Sequence, residues 1–184
     1  MKLFFPIIFK ISLILTILAG CATTEKIKET DPDELLNQGV VLLEEGQYDR
    51  AIAYFNKAIE INPKYADAYN NRGNAYAKKG QYDKAIADYN KAIEINPRFA
   101  AAYNNRGNAY MGNGQYDKAI SDYNKAIEIN PRDAFAYDNR GFVYMVKLGN
   151  KNKACSDWKR ACELGDCSKW GNVNKLLCIG KLKD

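Results

Sequence analysis

From residue 32 onward the chain is built of short amphipathic runs in which large and small apolar residues fall at helical spacing. In residues 66–99 the bulky positions are Tyr69, Tyr76 and Tyr89, and the small ones are Gly73, Ala85 and Ala92. Thirty-four residues later the same places hold Tyr103, Tyr110, Tyr123, Gly107, Ala119 and Ala126. Thirty-four residues earlier they hold Leu35, Leu42, Phe55, Gly39, Ala51 and Ala58. Small residues stand where two helices must approach closely, and bulky ones fill the space between. Gly46, Gly80 and Gly114 fall between the two runs of each unit, where a residue able to take positive φ ends a helix. Asn62-Pro63, Asn96-Pro97 and Asn130-Pro131 close successive units. Asp31-Pro32-Asp33-Glu34 reads as an N-cap, a proline at the first helical position and acids in the first turn. The pattern predicts an all-α array of helix-turn-helix hairpins.

Residues 66–99 and 100–133 are identical at 28 of 34 positions. A period of 34 residues with paired helices resembles the tetratricopeptide repeat. The resemblance runs from residue 32 to about 164 and implies a right-handed solenoid of four units: 32–65, 66–99, 100–133 and 134–164. Its first helix here opens on Tyr where the family usually has Trp, a swap between large aromatics with a polar edge. The last unit keeps Tyr137, Gly141 and Tyr144, and the turn Leu148-Gly149-Asn150-Lys151-Asn152 reads as one residue longer. A repeat array needs its last apolar face covered, so residues 165–184 are expected to form a capping helix and tail. All 13 tyrosines lie within the repeats, and their spacing fits packing better than stacking on bases or sugars.

The first twenty residues stand apart. Lys2 precedes an almost wholly apolar stretch that ends in Ala19-Gly20, the layout of a secretory signal peptide. Leu18-Ala19-Gly20-Cys21 resembles the lipobox of bacterial lipoproteins, which implies cleavage before Cys21 and a covalent lipid on it. A Lys and a Pro within the stretch make it a poor membrane span. Residues 21–31 then read as the lipidated cysteine and a flexible tether, the tether reaching on the order of 15–20 Å as a coil. The expected location is exported and lipid-anchored. In a Gram-negative source, Ala22 resembles outer-membrane sorting, with the protein facing the periplasm. The chain has 27 Lys and Arg against 22 Asp and Glu; removing Lys2 and Lys10 leaves 25 against 22, a net charge near +3. That balance argues for neither nucleic acid nor an acidic substrate. Residues 147–184 hold nine basic and four acidic residues, read as a solvated face.

Four cysteines remain: Cys155, Cys162, Cys167 and Cys178. In an exported chain an even number favours disulfides. Cys155 and Cys162 share one helix face two turns apart, and Cys167 and Cys178 share another about three turns apart. Folding back at Gly165-Asp166 sets Cys162 opposite Cys167 and Cys155 opposite Cys178, so the nested pairs Cys162–Cys167 and Cys155–Cys178 are expected. The outer link closes a loop worth about 3 kcal/mol in chain entropy. A four-thiolate zinc site is the rival; it lacks any Cys-x-x-Cys pair.

The chain has no histidine, which removes the usual general base, the common triads and His-based metal sites. No phosphate-cradling or dinucleotide motif is present. The recurring acids Asp83, Asp88, Glu94, Asp117, Asp122 and Glu128 read as helix-surface and capping groups. A binding role without catalysis, small-molecule substrate or cofactor, apart from the lipid, is therefore expected. The resemblance puts a concave groove on the second, fifth, sixth, ninth and twelfth positions of each unit. Those places carry a row of carboxamides: Asn37, Asn70, Asn71, Asn74, Asn104, Asn105, Asn108 and Asn139, with Asp138. A carboxamide can donate and accept, so the row is expected to hold an extended peptide or partner protein. Asp67, Ala101, Asn70 and Asn104 stand where the family's clamp for C-terminal carboxylates needs basic residues. Leu36, Val40 and Leu43 early, and Phe135, Phe142 and Met145 late, are either partner contacts or packing. Self-assembly of the repeats and a thiol or metal role for the cysteines are the alternatives.

Overall fold

A computed structural model describes residues 31–167 together with Cys178. The signal peptide, Cys21, nearly all of the tether and most of the 165–184 segment lie outside the described residues. Four helix pairs follow one another: α1 (Pro32–Glu44) and α2 (Tyr48–Ile61), α3 (Ala66–Lys78) and α4 (Tyr82–Ile95), α5 (Ala100–Gly112) and α6 (Tyr116–Ile129), α7 (Ala134–Phe142) and α8 (Lys151–Glu163). The fold is all-helical, a tetratricopeptide-type solenoid.

Local chemistry explains the boundaries. Asp31 caps α1 by accepting from the Asp33 N–H at 3.0 Å, with Pro32 at the first helical position. Gly46, Gly80, Gly114 and Gly149 have φ of 77°, 71°, 74° and 62°, a conformation that residues with a Cβ adopt at a cost. Between units the asparagine of each Asn-Pro pair folds its side chain onto the backbone. Asn62, Asn96 and Asn130 accept from the N–H two residues on, at 3.1, 3.1 and 3.2 Å.

The core is a line of aromatics against glycines. Phe55, Tyr89, Tyr123 and Trp158 on the second helices are buried, and each ring lies on the glycine of its partner helix: Gly39, Gly73, Gly107 and Gly141. A Cβ on Gly73 would sit 2.7 Å from Tyr89 Cε1. Each buried ring contributes roughly 2–3 kcal/mol. The alanines predicted to be small, Ala51, Ala58, Ala85, Ala92, Ala119 and Ala126, are buried too, and Ala68 and Ala75, which the sequence reading did not single out, pack against the preceding unit.

Two features depart from the sequence reading. The extra residue of the last unit enters the helix, not the turn. After α7 the chain continues as a π-helical segment, Val143–Lys147, and the Leu148 N–H reaches back five residues to the Val143 carbonyl at 3.2 Å. Absorbing the insertion there keeps Trp158 over Gly141 and leaves the glycine turn intact.

The second departure concerns charge. Asp88 and Asp122, expected on the surface, are buried, as is Asp157. Arg72 grips Asp88 in a two-point bond, Nε to Oδ2 at 2.8 Å and Nη2 to Oδ1 at 2.6 Å, and its Nη1 donates to Asn56 of the preceding unit at 2.7 Å. Arg106 repeats this with Asp122 and Asn90, and Arg140 with Asp157 and Asn124. Each guanidinium also lies over a tyrosine of its own helix, Arg72 at 5.3 Å from the Tyr69 centroid. The hydrogen bond to Asp88 raises the Arg72 pKa against the opposing effect of burial. Burying the acid is affordable only because both its oxygens are bound.

Candidate functional site

First helices of successive units touch one another directly, α1 with α3, α3 with α5 and α5 with α7. The solenoid therefore draws in on that side, and a depression of about 640 Å³ opens across the first three units. Leu43 and Glu44 of α1, Asn74, Ala77 and Lys78 of α3, and Asn105, Asn108 and Ala109 of α5 line it, with Tyr48 and Tyr82 from the starts of second helices.

The carboxamides are more engaged than the sequence implies. Asn70 is buried, and its Oδ1 accepts from Asn105 Nδ2 at 3.0 Å. Asn104 and Asn139 make the same link one unit on, at 3.2 Å. Asn74 Oδ1 accepts from the Tyr89 hydroxyl and Asn108 Oδ1 from the Tyr123 hydroxyl, each at 2.8 Å. Asn71 Nδ2 donates to the Asp67 carbonyl at 3.0 Å. Of the expected groove residues, Asn74, Asn105 and Asn108 border the depression; Asn37 is exposed on α1, and Asp138 is buried on α7 beside the Trp158 indole, which donates to the Asp138 carbonyl at 3.3 Å.

This changes the chemistry on offer. With their oxygens taken, Asn74 and Asn108 present N–H donors to the groove, and Asn105 keeps one N–H and its oxygen. Such a surface suits acceptors in a ligand, above all peptide carbonyls. Burial, then the neighbouring carboxylates Asp88 and Asp122, push the Tyr89 and Tyr123 phenols well above the usual tyrosine value, so both stay protonated donors to the asparagines.

Sequence reasoning missed Glu44, Lys78, Tyr48 and Tyr82. The thirteenth place of each unit carries the first two, and the glycine there in the third unit was the available signal. A Cβ on Gly112 would meet the Tyr82 ring at 2.6 Å, so the glycine lets that ring close the wall of the depression. Lys79 pairs with Asp49 and Asn113 donates to Asp83 at 2.9 Å, tying the end of each of these first helices to the start of the preceding unit's second helix.

At the far end, Cys155 and Cys178 are joined with their Cα atoms 5.6 Å apart, and Cys162 and Cys167 with theirs 4.1 Å apart. Among the described residues no group of three or more His, Cys, Asp or Glu is placed to hold a metal, and no helix is long and apolar enough to cross a membrane.

Family profiles described as TPR repeat match residues 39–80 and 73–114, and one described as tetratricopeptide repeat matches 100–133. Together they span just over half of the 184 residues. No curated protein sequence matches the chain. Among solved structures, MamA is 27% identical with a TM-score of 0.68, over 88% of this chain and 96% of that one. PilF of Pseudomonas aeruginosa is 21% identical with a TM-score of 0.74, over 82% and 68%. The first TPR domain of Spaghetti (RPAP3), solved with an HSP90 peptide, is 24% identical with a TM-score of 0.62, over 66% and 97%. The chain belongs to the tetratricopeptide-repeat family, whose fold serves as a scaffold for protein–protein interaction.

Proposed function

We propose that the chain is an exported scaffold, held at a membrane by a lipid on Cys21, that grips an extended stretch of another polypeptide in its concave face without turning it over. One observation carries the reading. Asn74, Asn105 and Asn108 meet across an open depression with N–H donors free to face it and with their orientation fixed by bonds to Tyr89, Asn70 and Tyr123. Pre-oriented donors lose little freedom on binding, so each gives more net affinity than a mobile side chain would. The Spaghetti domain, solved with the peptide SRMEEVD, supports a polypeptide as the kind of ligand such a fold accepts.

The anchor reading rests on Leu18-Ala19-Gly20-Cys21. Several acyl chains on one cysteine hold a protein stably, whereas one gives marginal binding. In a Gram-negative source the scaffold would face the periplasm from the outer membrane, a setting in which the Cys155–Cys178 and Cys162–Cys167 links stay closed.

Photo-crosslinking residues placed at Asn71 and Asn105 in living cells test the binding role. The reading expects polypeptide adducts from both; a full absence of adducts contradicts it. Metabolic labelling with a radioactive fatty acid tests the anchor: the parent chain should take up label and Cys21→Ser should not, and an unlabelled parent chain would contradict a lipid link.

A further inference from the structure

The two ends of the inner face differ in chemistry. At the second place of successive units stand Asp33, Asp67, Ala101 and Phe135, and at the thirteenth Glu44, Lys78, Gly112 and Val146. Three carboxylates thus face one ammonium in the first two units, while the same places in the last two carry no charge. Asp67 is exposed, and Asp33 accepts from the Tyr65 hydroxyl and is exposed as well.

The far end is apolar. Phe135 is 68% and Val146 55% exposed, the most solvent-accessible large apolar side chains of the described residues. They belong to α7 and the π segment that continues it, and Phe142 and Met145 of the same stretch are half-buried. Every other aromatic among the described residues is buried or half-buried. An aromatic left in water at one end of a binding face is the kind of group that anchors a partner.

Resting on the groove reading above, we infer that the occupant is an extended peptide with Lys or Arg at one end and a bulky apolar side chain at the other. Its cationic end lies by Asp33 and Asp67, its apolar residue on Phe135 and Phe142, and its carbonyls accept from Asn74, Asn105 and Asn108 between them. Neighbouring inner helices lie about 10 Å apart, so Asp67 and Phe135 are separated by roughly 20 Å, about six residues of extended chain. An acidic segment is repelled at the first two units, and opposite charge there sets the direction in which the peptide lies.

Fluorescence anisotropy with the full-length chain and three labelled decapeptides tests this. One carries Lys-Arg six residues before a Phe; the second replaces Lys-Arg by Glu-Glu; the third replaces Phe by Ser. The first should bind at least tenfold tighter than either of the others. Phe135→Ser should bring it down to the level of the third, and Asp67→Asn should weaken it and flatten its salt dependence. Both variants change exposed side chains, and thermal melts should match the parent. Equal affinity for all three peptides overturns the inference, as does unchanged affinity in Phe135→Ser. So does a dimer that Phe135→Ser dissociates, which would make a second copy the occupant. A melting temperature lowered by Phe135→Ser with no peptide bound would make it the chain's own terminus. Crosslinks from Asn105 that persist while the three peptides bind alike leave the groove reading standing and remove only its polarity.

Discussion

Gly107 and Tyr123 show how little slack the hairpin allows. A Cβ on Gly107 would lie 2.6 Å from Tyr123 Cε1, with the ring fully buried. Gly107→Ala should therefore destabilise the protein by about 1–3 kcal/mol, as overpacking does, in spite of alanine's better helix propensity; urea unfolding reads it. Asp122 is the second sensitive point. Asp122→Ala leaves the Arg106 guanidinium facing a gap and should cost about 3 kcal/mol, whereas Arg106→Met with Asp122→Leu should recover most of that loss. Tyr89 and Tyr123 give the pH dependence. Their folded pKa values lie above the unfolded value of about 10. The folded state thus holds these protons more tightly, and their stabilising effect is complete below pH about 10 and lost as pH rises through the folded values. Thermal melts between pH 9 and 12 should show that alkaline loss, and Tyr89→Phe with Tyr123→Phe should reduce its slope. The glycine–aromatic pairing was legible because both sizes recur in step. The burial of Asp88 and Asp122 was not, since an acid at helical spacing looks like a solvated face until its arginine is seen. The signal was joint loss: the first unit has Gln38 and Tyr54 where the others have the arginine and the aspartate.

The second helix of each unit offers a row of isoleucines to the unit that follows. Ile52, Ile86 and Ile120 pack in clusters that include Ala75 and Ala109 of the next first helix and Val143 of the π segment. Allowing for the one-residue insertion, Cys155 occupies the place of Ile120, and Cys162 that of Ile127. In the fourth unit the docking positions thus carry cysteines, and these are joined to Cys178 and Cys167. A covalent link takes over from apolar contact in this unit. Cys155→Ser with Cys178→Ser should therefore cost about 3 kcal/mol, felt in α8 and α7 and not in α1. Amide exchange resolved along the chain measures this, since a repeat array unfolds unit by unit from its weakest end. The sequence pattern supplied helix pairs, glycine turns and unit boundaries. It misplaced the insertion, because an added residue near a glycine turn looks like loop, whereas a π segment accommodates it without disturbing the aromatic below.

Across the whole array the two sides carry different ladders. On one, Asn56–Arg72–Asp88 and its repeats bind each unit to the one before; on the other, Asn70–Asn105 and Asn104–Asn139 join first helices to first helices. The first unit takes part less, with Leu36 in place of the inner asparagine and an exposed Glu34 where later units bury Ala68, Ala102 and Ala136. That end is finished by charge and the other by sulfur. The inner face was legible as a row of carboxamides. Which of its atoms remain free was not, because that depends on tyrosines fifteen residues away along the chain. The proposed scaffold role requires partners to lie along the first helices. Hydrogen–deuterium exchange of the chain with and without the partner recovered from its Asn105 crosslink measures this. Added protection in α3 and α5, with α2, α4 and α6 unchanged, is the expected result; protection confined to the second helices would contradict it.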